Sequence, residues 1–201
     1  MRLGLAVVLF VLLLATGLGV AAARAADPAP TIAVSAGDWW IYVSETGRGT
    51  ATVWSYTVAS VDEDAFVVAR TQVRDGAATE QPTITLQRSA LATPKGLYLH
   101  VMGKDGARLT WTEEGPKDET LMLGETTLAC QRYELTASLP GKGSPTSATL
   151  WTSAEIKTGP RLVKLDASRG KRPYTVTLAG YGTKTGATWG TRTPEIPKRG
   201  D

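Results

Sequence analysis

The sequence predicts an all-β fold: a single antiparallel sheet of about ten short strands, curved into a barrel or half-barrel, with little helix. Three observations lead there. Apolar and polar residues alternate with a period of two in many short stretches, spaced about 8–14 residues apart. Turn pairs such as Asp75-Gly76 separate those stretches. No helical period is sustained over a useful length, so crossover connections are missing and neighbouring strands must pair antiparallel. Such a sheet has to close, fold over or be covered, because open edges invite aggregation. A two-sheet sandwich is the next choice.

The elements follow in order. Asp38–Glu45 places Trp39, Ile41 and Val43 on one face and Trp40 and Tyr42 on the other, so either one tryptophan lies outside the main core or both faces are covered. After the turn at 46–49, Ala51–Ser60 aligns Trp54, Tyr56 and Val58 on one face. Asp62-Glu63-Asp64 turns the chain. Ala65–Arg74 sets Val67, Ala69, Thr71 and Val73 against Phe66, Val68, Arg70 and Gln72. Asp75-Gly76 is the strongest hairpin signal in the chain. Thr83–Arg88 and Gly96–Met102 read as further strands, the second with Leu97, Leu99 and Val101 on one face. Lys104-Asp105-Gly106 is a second hairpin turn, followed by Leu109 and Trp111 in alternation. Thr120–Leu123, Thr126–Thr136, Ser147–Thr152, Arg161–Asp166 and Tyr174–Tyr181 complete the set, with 140–145 as the longest loop. Glu119–Leu123 and Ser153–Lys157 are candidates for single helical turns.

Residues 1–25 read as a Sec-type signal peptide. Arg2 forms the charged region, Leu5–Leu14 the apolar one, and Ala23-Arg24-Ala25 the small-residue cleavage site. The competing reading, an uncleaved anchor, needs about 20 strongly apolar residues. Here Thr16, Gly17 and Gly19 weaken the second half. Cys130 is the only cysteine, so a lipid-anchor cysteine at the cleavage site and an internal disulfide are both excluded, and no later apolar run could span a bilayer. Residues 26–36 form a flexible lead-in, 37–182 the β domain and 183–201 an irregular Gly/Pro-containing tail. Localisation is therefore expected to be periplasmic or secreted. The 22 basic and 19 acidic residues become 20 and 19 once Arg2 and Arg24 leave with the signal. That near-neutral balance, with basic residues scattered singly except at Lys171-Arg172 and Lys198-Arg199 and no aromatic-and-basic alternation, argues against a nucleic-acid groove.

Catalytic chemistry is poorly supplied. His100, the only histidine, lies opposite the Leu97 face of its expected strand, toward solvent or a cavity. No serine sits in a nucleophile elbow beside which it could act. One His and one Cys cannot build a closed zinc site, and the acidic runs at 62–64 and 113–114 lack a calcium-ligand ladder. Gly141-Lys142-Gly143-Ser144 lacks the spacing and the helix of a phosphate loop. Cys130 reads as a small buried strand residue. No catalytic residue, metal ligand or cofactor is assigned. The aromatic side chains are the informative ones: Trp54, Tyr56 and Trp111 are the candidate lining of a cavity for an apolar or amphipathic ligand, against the plainer reading of core packing.

Gly37-Asp38-Trp39 at the head of the first strand resembles the G-x-W start of lipocalin-like barrels. A second resemblance rests on the strand containing Cys130, on Trp151, Ser153, Glu155 and Ile156, on Gly159, on Leu162-Val163-Lys164, and on Gly180-Tyr181-Gly182. Together these resemble an uncharacterised family of exported bacterial β-rich proteins, with Lys157 standing where that pattern has proline. That family is loosely similar to periplasmic lipoprotein-carrier half-barrels. The resemblance implies an apolar cavity and carries no catalytic residues. The expected function is thus a non-catalytic exported protein binding an apolar or lipid-like ligand in a curved sheet. An envelope assembly factor acting through protein contacts is the alternative, and a hydrolase ranks last.

Overall fold

The computed structural model describes residues 32–47, 49–102, 109–139, 142–169 and 172–190. The expected signal peptide lies outside these residues, as do most of the lead-in, the 104–106 turn and the last residues of the tail.

One antiparallel sheet of ten strands dominates. In chain order it comprises β1 (Trp39–Thr46), β2 (Ala51–Val61), β3 (Ala65–Arg74), β4 (Ala77–Gln87), β5 (Thr110–Leu123), β6 (Thr126–Leu139), β7 (Lys142–Thr152), β8 (Leu162–Arg169), β9 (Arg172–Gly182) and β10 (Thr188–Gly190). Two short helices, α1 (Arg88–Leu91) and α2 (Pro94–Met102), separate β4 from β5. The strand order is β4-β3-β2-β1-β9-β8-β7-β6-β5, with β10 added against β9. Two hairpin series therefore meet where β1 pairs with β9. The sheet does not close on itself and forms a half-barrel.

The turn chemistry is local. Asp75 and Gly76 both take positive φ (51° and 80°), as a two-residue primed hairpin requires. The strands β4 and β5 are consecutive in sequence yet stand at opposite ends of the sheet, so the α1–α2 connection must cross the concave side. Leu91, Leu97 and Tyr98 are buried there in one cluster with Trp40, Phe66, Val68, Leu135 and Leu150. Removing each such side chain from water contributes roughly 1.5–3 kcal/mol.

The structure departs from the sequence expectations at four places. Gly96–Met102 is helix, not strand. Thr93 Oγ1 accepts the N–H of Gly96 at 3.1 Å and Pro94 opens the helix, a cap and a first helical residue suited to those places. Gly96 also lets the two helices meet, because a Cβ there would lie 1.7 Å from the Ala90 carbonyl oxygen. Glu119–Leu123, a candidate helical turn, continues β5. Within 183–201, the segment read as an irregular tail, Thr188–Gly190 pairs with β9, and Trp189 stacks on Tyr181. Ile32, in the segment read as a lead-in, is buried in the core.

Candidate functional site

Three sets of residues singled out by the sequence converge at one end of the half-barrel, and their role there is structural. Asp38 is buried, and its carboxylate accepts hydrogen bonds from Ser35 N–H (2.9 Å), Thr158 Oγ1 (2.9 Å) and Lys184 N–H (2.7 Å). It ties the chain entering β1 to the segment between β7 and β8 and to the turn after β9. Gly159, at φ +66°, lies flat against the Trp40 ring, where a Cβ would approach to 2.8 Å. Gly182 lies as closely against Trp39. Where β7 ends, side chains extend its ladder: Ser153 Oγ donates to the Ala129 carbonyl (2.7 Å), and Glu155 Oε1 accepts the Ala129 N–H (2.9 Å). Trp151 lies under the Lys164 ammonium, 5.1 Å from its ring centroid, and donates Nε1–H to Glu119. A depression of about 590 Å³ opens nearby, lined by Glu119, Cys130, Ser153 and Arg161. Glu119 and Ser153 of its lining serve these bonds, and burial pushes the Cys130 thiol up, away from thiolate.

The other end of the concave face differs. The pairings Tyr42↔Trp54 and Tyr56↔Arg70 put four side chains in two adjacent rows across β1, β2 and β3. Beyond the last turn of α2 these rows border a cavity of about 230 Å³, with His100 and Tyr174 also in its wall. Val101, Met102 and Val176 supply apolar surface. No carboxylate lines it among the described residues.

The polar groups are individually constrained. Tyr42 Oη donates to the Leu162 carbonyl at 3.2 Å, and burial, then the neighbouring Tyr56, holds its phenol well above the ordinary range. Burial pushes the Tyr56 phenol up to about 12, opposed by Arg70. Tyr56 packs against a stacked Trp40 ring at 5.4 Å and a tilted His100 ring at 5.8 Å. His100 is brought down to about 4 by desolvation first and by the Arg70 charge second, so it is a neutral imidazole near pH 7. Its Nε2 is buried without a hydrogen-bond partner among the described residues. Such an unmet group costs about 1–3 kcal/mol. Arg70 spends Nε–H and one Nη2–H on the Pro82 carbonyl (3.0 and 2.9 Å), which leaves Nη1 unengaged among the described residues.

Of the three aromatic residues proposed from sequence, Trp54 and Tyr56 line this cavity and Trp111 does not. Trp111 stands edge-on against Tyr98 at 5.3 Å, with the Lys95 ammonium over its ring. His100 belongs to the cavity, carried by a helix and not by a strand. Ser44 shares the lining, but its Oγ donates to the Thr52 carbonyl at 3.2 Å, and no carboxylate in the described lining orients the imidazole as a triad needs. Sequence reasoning passed over Arg70; its place in the Phe66–Val68 alternation was the available signal.

No protein-family model and no curated protein matches the sequence. Three solved structures share its β-rich outline. One is a Bacteroides fragilis protein described as exported and YmcC-like in fold, with TM-score 0.43, 10% identity, and 74% of this chain and 96% of that chain covered. Another, from Parabacteroides distasonis and described as a lipoprotein, has TM-score 0.42, 12% identity, and 74% and 96% coverage. LprF from Mycobacterium bovis has TM-score 0.31, 13% identity, and 80% and 89% coverage. Values this low give no ground for transferring a role. Among the described residues, no helix is long and apolar enough to cross a membrane.

Proposed function

We propose that the chain is exported, with residues 1–25 removed as a signal peptide, and that its β domain works as a non-catalytic binding protein for an apolar or lipid-like ligand. The observation that carries this is the cavity on the concave face, where Trp54, Val101, Met102 and Val176 stand beside polar groups that include Arg70 and His100. Apolar and aromatic walls with a few fixed polar groups are what small-molecule sites use. At about 230 Å³ the space lies just below the usual range of roughly 300–1,000 Å³ and suits one chain or a small head group better than a bulky molecule.

Strand addition by an envelope partner has less support. The end strands β4 and β5 each carry a proline midway, Pro82 and Pro116, and β5 carries Glu113, Glu114, Lys117, Asp118 and Glu119. Prolines and charges on edge strands discourage pairing with another chain. The test is native mass spectrometry of protein recovered from the cells that make it, together with a fluorescent-lipid titration. A copurifying ligand or saturable binding is expected. The absence of both removes the proposal.

A further inference from the structure

We infer that the cavity receives the anionic head group of a single-chain amphiphile, with Arg70 as its counter-ion and His100 as a hydrogen-bonding group in the same wall. This rests on the binding function proposed above and names the ligand's chemical class. Arg70 is the one charged side chain in the described lining, and no carboxylate there neutralises it. Its two bonds to Pro82 fix the guanidinium plane, and Nη1 remains for an oxyanion. The register that sets Arg70 opposite Tyr56 also sets it near His100, whose ring lies 5.8 Å from that of Tyr56. The buried Nε2 of His100 has no partner among the described residues, and the Nε2–H tautomer would donate to the same oxyanion. Met102, Val101 and Val176 provide the apolar surface against which the first part of a chain would lie. A purely apolar ligand would leave both Arg70 Nη1 and His100 Nε2 unmet, which is the penalty a charged head group removes.

The experiment uses the untagged full chain, stripped of lipid, and four ten-carbon probes: decanoate, decyl phosphate, decanol and decylamine. Binding is followed by tryptophan fluorescence and by the imidazole resonances of His100, which are unambiguous because the chain has a single histidine. The acids are expected to bind at least about tenfold tighter than decanol, as a charge-assisted pair worth more than a neutral hydrogen bond implies. They should also shift the His100 resonances and raise the pH at which the ring titrates. Whichever of decanoate and decyl phosphate binds tighter tells whether the head group is a carboxylate or a phosphate. Arg70→Gln should remove the preference of both acids over decanol, and a circular-dichroism spectrum like that of the unmodified chain shows that the variant is folded. Arg70→Lys should retain part of the preference. If decanol matches the acids, if decylamine binds best, or if Arg70→Gln leaves the acids unaffected, the anionic reading is overturned and the binding function stands. If none of the four binds, both fall.

Discussion

His100 gives the structure a pH dependence that can be worked out in advance. In the unfolded chain its imidazole titrates at the ordinary 6.5; in the fold, desolvation and then Arg70 bring it down to about 4. The unfolded state therefore binds the extra proton first as pH falls. Stability from this group is complete above the unfolded value, is lost progressively as pH drops through 6.5, and stops changing below the folded value. Linkage with these two values gives a loss of about 2 kcal/mol at pH 5 relative to pH 7.5. The residue is only half-buried, and solvent screening brings the expectation to about 1–2 kcal/mol. Among the described residues, the charged and phenolic side chains that share the cavity wall with the ring are Arg70, Tyr42, Tyr56 and Tyr174. Carboxylates elsewhere do respond, so the measurement is a difference. Urea unfolding, followed by tryptophan fluorescence at pH 7.5 and 5.0, is compared for the unmodified chain and His100→Phe, which keeps an aromatic ring against Tyr56. The unmodified chain should lose about 1–2 kcal/mol more than the variant, a midpoint difference of roughly 0.5–1 M urea for an ordinary slope. Equal losses in the two chains would refute the claim that the folded interior excludes the proton.

Other substitutions probe the opposite end. Asp38→Asn keeps the shape but turns an amide N–H toward one of three donors, so it should cost on the order of 3 kcal/mol and lower Tm by roughly 6–12 °C in a calorimetric scan. Gly159→Ala places a methyl 2.8 Å from Trp40 at a left-handed φ, and should destabilise by about 2–4 kcal/mol while altering the near-ultraviolet signal of the stacked tryptophan. Cys130, buried and with its thiol pushed up, should react with a maleimide at pH 7.5 far more slowly in the native chain than in denaturant. Comparable rates in the two states would show that the β6 strand is not packed as described.

The strands were legible because each reports its own two-residue period, and the Asp75-Gly76 turn because two positive φ values need residues of that kind. The helix α2 was not, since Leu97, Leu99 and Val101 satisfy an alternating pattern as well as a helical one over so short a run. The deciding signal was upstream, in the Thr93-Pro94 cap and the glycine two residues later. Which face of a strand looks inward was also undetermined. Trp39 and Trp40 were separated correctly by parity, yet only the pairing with β2 shows that Trp40, stacked on Tyr56, belongs to the concave core. The same uncertainty hid Arg70, because a charged residue in an alternation is ordinarily assigned to solvent. Trp111 was grouped with Trp54 and Tyr56 by residue type, whereas the sheet order sets β5 far from β2.

The cavity follows from a mismatch of lengths. The nine residues of α2 extend about 14 Å at the helical rise, whereas the eleven of β2 extend about 36 Å in a strand. A single short helix can cover less than half of the concave face. Trp40, Phe66, Leu97 and Tyr98 fill the part that α2 covers, and among the described residues the cavity lies past the end of that helix at Met102. Space left over by poor packing in a fold of this kind would be lined with aliphatic side chains and stay dry. The wall here holds a guanidinium braced on a carbonyl, a neutral imidazole and three tyrosines, and keeping such groups there costs stability that aliphatic residues would not. A sheet that retains those residues past the end of α2 is better accounted for by a ligand that meets them than by the demands of folding.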